Sequence, residues 1–204
     1  MRENITTAIL AEKVVAIVRL AEENEVLPTV SALVDAGVRV LEITSNTPGY
    51  GVAIQQARKR FPEMLIGAGT ILNVDLAQEA IAHGAQFLVT PNMNVEVIAT
   101  AHGAGLPVMM GAFTPTEVAD GINHGADFIK LFPASLLGIP YLKSLFGPFN
   151  GARFIAVGGI NFANAEDWLR AGAVGVGMGG SILAGDVTAV GASIAELRGV
   201  SAET

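Results

Sequence analysis

Eight short runs of apolar residues recur along the chain: Val14–Arg19, Arg39–Thr44, Met64–Gly67, Gln86–Thr90, Pro107–Met110, Asp127–Leu131, Arg153–Val157 and Val174–Met178. Nearly continuous Val, Ile and Leu marks strands buried on both faces, as in a parallel sheet. Between them, Val52–Phe61, Asp75–His83, Pro115–His124 and Phe162–Ala171 space their apolar residues at the helical period. Asp75 and either Thr114 or Thr116 supply helix-start signals. Each helical segment is followed by a weak repeat: Ala36-Gly37-Val38, His83-Gly84-Ala85, His102-Gly103-Ala104, His124-Gly125-Ala126 and Ala171-Gly172-Ala173. The glycines lie 47, 19, 22 and 47 residues apart. The long gaps are near twice a unit of roughly 20–24 residues, as if two repeats had degraded. Glycine there is expected to end each helix in the left-handed conformation.

Eight strand–helix units in a chain of 204 residues predict an α/β fold, a single-domain (β/α)8 (TIM) barrel spanning residues 1–204. A doubly wound open sheet is the alternative. It usually carries a glycine-rich turn after the first strand, where this chain has Arg19-Leu20-Ala21-Glu22.

Composition narrows the function. With 51% hydrophobic and 15% charged residues, the chain can bury a sizeable core. With no cysteine, disulfides, thiolate zinc sites and thiol nucleophiles are excluded. A net charge of −7 argues against a nucleic-acid partner. The longest uncharged stretch, Val97–Thr116, contains His102, three glycines and two prolines, so no membrane span is expected. Nor is a targeting segment visible, and the expected location is cytoplasmic. His83, His102 and His124 sit beside the repeat glycines, where they suit a helix C-terminus rather than chemistry. Unclustered histidines make a transition-metal site unexpected; an all-carboxylate magnesium site stays open.

Two charged residues sit inside strands. Lys130, one of four lysines, lies in Phe128-Ile129-Lys130-Leu131-Phe132. Alternation puts Phe128, Lys130 and Phe132 on one side, with Ile129 and Leu131 against helices. Burial lowers an ammonium pKa, and a neutral lysine amine can form a Schiff base with a carbonyl. A lysine paired with a core carboxylate, or snorkelling outward, is the structural alternative. Glu42 lies in Val40-Leu41-Glu42-Ile43 and shares the barrel-facing side with Val40. An acid in an apolar barrel mouth suits proton transfer, and the alternative is an ion pair with Arg19 or Lys130. Glycine-rich strand ends at Gly67-Ala68-Gly69-Thr70, Gly158-Gly159-Ile160 and Gly177-Met178-Gly179-Gly180-Ser181 offer backbone N–H groups to an anion.

These residues in this order resemble the class I aldolases for 2-keto-3-deoxy-6-phospho-sugar acids, including the 4-hydroxy-2-oxoglutarate aldolases. The resemblance runs from about Val14 to Leu183. It rests on Val40–Thr44, Gly67–Leu72, Val89-Thr90-Pro91, Phe113–Glu117, Ile129–Ala134 and Val157–Ile160. It implies a (β/α)8 barrel assembled as a homotrimer, needing neither metal nor cofactor, and acting on pyruvate and phosphorylated sugar acids. By position it implies a Schiff-base lysine at Lys130 and a general acid/base at Glu42. Thr70 would hold the pyruvate carboxylate, Pro91 and Phe132 would line the pocket, and Gly158, Gly179, Gly180 and Ser181 would take the phosphate. The gluconate-type branch has Arg where Asn46 stands and Pro-Thr where Ala156-Val157 stand. Asn46, Val157 and Thr90-Pro91-Asn92 resemble the galactonate-type branch, as do Gly138, Tyr141 and Lys143 in the expected helix Leu136–Phe146. Arg19 matches an arginine of that branch and would supply positive charge. A barrel isomerase or epimerase with Glu42 as base, and a non-catalytic sensor, are the competing functions.

Overall fold

The computed structural model describes residues 1–183 and 187–202, with only the backbone described at Ser181, Leu183 and Val187. Eight parallel strands close a barrel in the order β1-β2-β3-β4-β5-β6-β7-β8, with β8 returning to β1. They are β1 (Val14–Val18), β2 (Val40–Thr44), β3 (Leu65–Gly69), β4 (Leu88–Val89), β5 (Val108–Ala112), β6 (Phe128–Leu131), β7 (Phe154–Val157) and β8 (Gly175–Met178). Every strand falls where the apolar pattern places it. The ends differ by at most two residues: β3 runs on to Gly69, β5 runs on to Ala112, and β4 is shortened to Leu88–Val89.

The helices are α1 (Arg2–Glu12), α2 (Val26–Asp35), α3 (Tyr50–Arg60), α4 (Val74–Ala82), α5 (Val95–Gly103), α6 (Pro115–Asn123), α7 (Ala134–Leu145), α8 (Ala165–Arg170) and α9 (Val187–Gly199). Local chemistry sets their starts. Asn73 caps α4 by accepting from the Leu76 N–H, two positions before the Asp75 signal. Thr114 and Glu117 form a reciprocal capping box on α6, with Pro115 at its first position. The expected helix at Leu136–Phe146 is α7, broken by Gly138 at φ 77°.

Alternation along the strands divides the core into two layers. Val14, Ala16, Val18, Leu41, Ile43, Ile129 and Leu131 point outward and pack on the helices. Val15, Val40, Phe87, Met109, Phe128 and Ile155 point inward and fill the barrel. Ile5 and Ile9 of α1 join the inward cluster, so α1 packs against the barrel interior. Asp127 anchors this helix: its carboxylate accepts from Arg2 Nε at 2.7 Å and the Val108 N–H at 3.0 Å, and lies 3.1 Å from His102 Nε2. His102 therefore has a specific partner, beyond the helix-end role expected from sequence.

Four repeat glycines end their helices as expected: Gly37, Gly84, Gly125 and Gly172 have φ between 81° and 106°. The fifth differs. Gly103 remains within α5, and Gly105 takes the left-handed conformation at φ 71°. Two candidate glycines stood two residues apart, and the helix ran one half-turn further than the repeat suggested. With this register the left-handed glycines lie 47, 21, 20 and 47 residues apart.

The two positions should respond oppositely to alanine. An added Cβ at Gly103 meets nothing within 4 Å, whereas Gly105 holds φ 71°. Gly103→Ala should raise Tm by roughly 1–4 °C through reduced unfolded-state entropy. Gly105→Ala should lower it by roughly 2–8 °C. Differential scanning fluorimetry of both variants checks the register; equal shifts would refute it.

Candidate active site

The C-terminal ends of the strands surround a cavity of about 760 Å³. Arg19, Glu42, Asn46, Thr70, Pro91, Lys130, Phe132, Val157, Gly158, Gly179 and Gly180 all line it, as the strand-end argument requires. Ser181 belongs to the 3-10 turn Gly180–Leu183, and its side chain lies outside the described residues. Gly159, Ile160 and Gly177 of the glycine-rich strand ends line it too, while Ile17, Leu20 and Asn161 line the cavity and were not singled out from sequence. Ile17 was legible by parity, since it is in register with Glu42 on β2. Asn161 follows the second glycine of the β7 loop and carried no separate signal.

Lys130 is 5% exposed and Glu42 is 2% exposed. Both project inward because their strands alternate. Lys130 is in register with Gly111 of β5 and Ile155 of β7, while Glu42 is in register with Gly67 of β3. Among the described residues, no hydrogen bond or ion pair engages Lys130 Nζ or the Glu42 carboxylate. The direct ion pair considered as a structural alternative is therefore absent. Lys130 Nζ instead stands 5.0 Å from the centre of the Phe132 ring.

Desolvation dominates the electrostatics of both groups. It pushes the Lys130 pKa below its ordinary value of 10.5; the Glu42 carboxylate opposes this, and the Arg19 guanidinium reinforces it. Desolvation pushes the Glu42 pKa above its ordinary value of 4.5, against the opposing fields of Lys130 and Arg19. Both shifts favour the neutral forms. A neutral amine and a protonated carboxyl facing one cavity can add to a carbonyl and pass protons.

The room for these groups comes from glycine. A Cβ at Gly69 would lie 2.4 Å from Glu42 Oε1, and one at Gly111 would lie 2.2 Å from the Pro91 carbonyl carbon. A Cβ at Gly67 would lie 2.5 Å from the Phe87 ring. Gly67 and Gly69 are thus space-making positions within β3, and of the segment Gly67-Ala68-Gly69-Thr70 it is Thr70 that lines the cavity. Gly158 and Gly159, at φ 96° and 75°, make the turn after β7 and pack closely against Pro133 and Ser135. Together with Gly179 and Gly180 they present backbone to the cavity with no side chain intervening.

Around the same cavity mouth, Arg19 Nη2 donates to Thr70 Oγ1 at 3.1 Å. Thr70 has φ 58°, unusual for a β-branched residue and a form of strain found at functional sites. Among the described residues, no group of three or more His, Asp or Glu side chains is arranged to hold a metal ion. No described helix is long and apolar enough to cross a membrane.

Comparison with known proteins agrees with this geometry. Residues 5–193 match the family described as KDPG and KHG aldolase. The 2-dehydro-3-deoxy-6-phosphogalactonate aldolase of Escherichia coli is 37% identical over 82% of this chain and 83% of its own length. The 2-dehydro-3-deoxy-phosphogluconate aldolase of Treponema pallidum is 35% identical over 77% of this chain and 75% of its own. Among solved structures, the KDPG aldolase of Legionella pneumophila, with pyruvate captured as a covalent carbinolamine, superposes with a TM-score of 0.81. It is 31% identical and covers 97% of this chain and 98% of that one. The chain belongs to the KDPG and KHG aldolase family and is a carbon–carbon lyase.

Proposed function

We propose that the protein is a class I aldolase that reversibly cleaves a 2-dehydro-3-deoxy-6-phospho-aldonate to pyruvate and glyceraldehyde 3-phosphate, with the galactonate-type substrate preferred. The observation that carries this reading is Lys130: a buried, unpaired lysine with a depressed pKa, facing the cavity beside Glu42. The carbinolamine captured in the Legionella pneumophila relative supports a lysine-based route. The isomerase and sensor readings are not carried further, because the family is one of lyases.

In the cleavage direction the neutral Lys130 amine adds to the C2 ketone. Glu42 protonates the carbinolamine oxygen, which leaves as water and gives the iminium. Removal of the C4 hydroxyl proton, by Glu42 through water, drives C3–C4 cleavage. The bonding pair flows into the iminium nitrogen, releasing the aldehyde and leaving an enamine. Protonation at C3 followed by hydrolysis releases pyruvate and restores the amine. Thr70 and Arg19 hold the carboxylate, and Pro91 and Phe132 flank the reacting carbons. The backbone at Gly158, Gly179 and Gly180, with Ser181, holds the phosphate.

Asn46 and Val157 support the galactonate-type preference. They place a neutral amide and an aliphatic group where a gluconate-type site would place a cation and a hydroxyl. 4-Hydroxy-2-oxoglutarate, which lacks the phosphate, is the alternative substrate of the same chemistry.

A homotrimer is part of this proposal. Leu72, Val95, Phe113 and Leu136 are large, apolar and exposed, and follow β3, β4, β5 and β6 in turn. They therefore lie on adjacent sectors of one rim, as a contact surface would.

Four measurements test these statements. Borohydride with pyruvate should leave a stable adduct on Lys130, and Lys130→Ala should abolish cleavage at saturating substrate; a wild-type protein without the adduct would sink the mechanism. At fixed pyruvate, adduct formation should rise with pH as the amine deprotonates and level off below 10.5, the ordinary lysine value. In a kinetic panel of both C4 epimers and 4-hydroxy-2-oxoglutarate, the galactonate-type epimer should show the highest kcat/KM. Light scattering should return three times the chain mass of 21.0 kDa, and the paired change Phe113→Asp and Leu136→Asp should reduce it.

A further inference from the structure

The segment after β2, Thr44-Ser45-Asn46-Thr47, reaches both neighbouring strand ends. Toward β1, the buried Thr44 hydroxyl donates to the Val18 carbonyl at 3.3 Å and lies 3.1 Å from Thr47 Oγ1. Thr47 Oγ1 in turn accepts from the Leu20 N–H at 3.3 Å. Val18 and Leu20 bracket Arg19, so this pair of threonines fixes the backbone on each side of the guanidinium-bearing residue. Toward β3, the Ser45 N–H donates to the Gly69 carbonyl at 2.8 Å, and Ser45 Oγ donates to the Thr70 carbonyl at 2.7 Å. Neither Ser45 nor either threonine lines the cavity.

The Ser45 bond is the informative one. A β-branched residue at φ 58° stays there only where its surroundings hold it. Ser45 grips Thr70 on both sides, through the carbonyl of the preceding Gly69 and through Thr70's own carbonyl. The side-chain half of that grip is the shorter bond. Thr70 Oγ1 accepts from Arg19 at 3.1 Å, which leaves its single O–H free to donate into the cavity. The backbone conformation therefore decides whether one hydroxyl can meet Arg19 and a bound anion together.

We propose that Ser45 is a positioning residue for the substrate's carboxylate: its hydroxyl holds Thr70 in the left-handed conformation that aligns the Thr70 hydroxyl with Arg19. This rests on the reading above, in which Thr70 and Arg19 receive the pyruvate carboxylate. Without the Ser45 hydroxyl the Thr70 peptide relaxes and the carboxylate loses its aligned donor. Lys130 and Glu42, carried on β6 and within β2, keep their places.

The test is steady-state kinetics in the condensation direction with pyruvate and glyceraldehyde 3-phosphate, using Ser45→Ala, Ser45→Thr, Thr70→Ala and the double variant. Ser45→Ala should raise the pyruvate KM roughly 5–10-fold, the loss of about one aligned hydrogen bond, and leave kcat within about twofold. Borohydride trapping should slow at low pyruvate and reach the wild-type extent at saturation. Ser45→Thr, which retains the hydroxyl, should restore KM. In the Thr70→Ala background the serine change should add nothing. A wild-type KM in Ser45→Ala, or an equal fall in kcat with no rescue by threonine, overturns the proposal. If Thr70→Ala itself leaves the pyruvate KM unchanged, the carboxylate reading fails. If Thr70→Ala raises KM while Ser45→Ala is silent, only the role of Ser45 fails.

Discussion

The site depends on holding an amine and a carboxyl out of water without letting them meet. Had Lys130 and Glu42 formed a direct ion pair, each would have stabilised the other's charged form, and the lysine would be a poor nucleophile. Each instead feels the other's field without sharing a proton, and desolvation outweighs that field at both groups. Parallel strand geometry achieves this separation. Lys130 on β6 and Glu42 on β2 are four strands apart around the closed barrel, and both point into its interior. The Phe132 ring gives the ammonium a weak, non-transferable partner in place of a carboxylate.

That arrangement divides the barrel along its axis. The half nearer the strand N-termini is packed with large side chains, among them Val15, Val40, Phe87, Met109 and Phe128, with Ile5 and Ile9 of α1 beside them. The other half is more open, in part because Gly69 and Gly111 occupy inward positions there. Gly69 makes room for the Glu42 carboxylate, and Gly111 makes room for the chain at Pro91. An alanine at Gly69 would push against the carboxylate itself. Barrel interiors are usually filled with branched residues in layers. Here glycines interrupt those layers where the cavity opens, while Ile17, Ile155 and Val157 still point inward beside it.

Much of this was legible in the sequence, for a physical reason. Strand parity is local, so Lys130 with Phe128 and Phe132, and Glu42 with Val40, could be assigned to the interior from alternation alone. The eight apolar runs likewise carried the barrel. What stayed hidden depends on distant chain segments. Asp127 gathers Arg2, His102 and the Val108 N–H, and no spacing in the sequence links them. Thr70 adopts φ 58° against its own preference, so its residue type pointed away from its conformation. That Gly67 and Gly69 clear space for Phe87 and Glu42 was hidden too, because a glycine that clears a neighbour and a glycine that bares its backbone are identical in a sequence. The Gly103–Gly105 ambiguity has the same origin: either could end α5, and only the packed helix selects one.

Arg19 shows how few charges the site uses. The protein carries a net charge of −7, yet the proposed substrate is an anion at both ends. Of the described residues lining the cavity, only Arg19 and Lys130 are basic. In the proposed mechanism Lys130 attacks as a neutral amine, so among the described lining residues the fixed positive charge is left to Arg19. The same guanidinium lowers the Lys130 pKa and helps restrain the rise in that of Glu42. A second fixed cation, such as an arginine in place of Asn46, would add to both effects while strengthening anion binding. With Asn46 and Val157 in place, attraction for the distal anion falls to backbone N–H groups, which carry no net charge and leave the balance between Lys130 and Glu42 largely undisturbed.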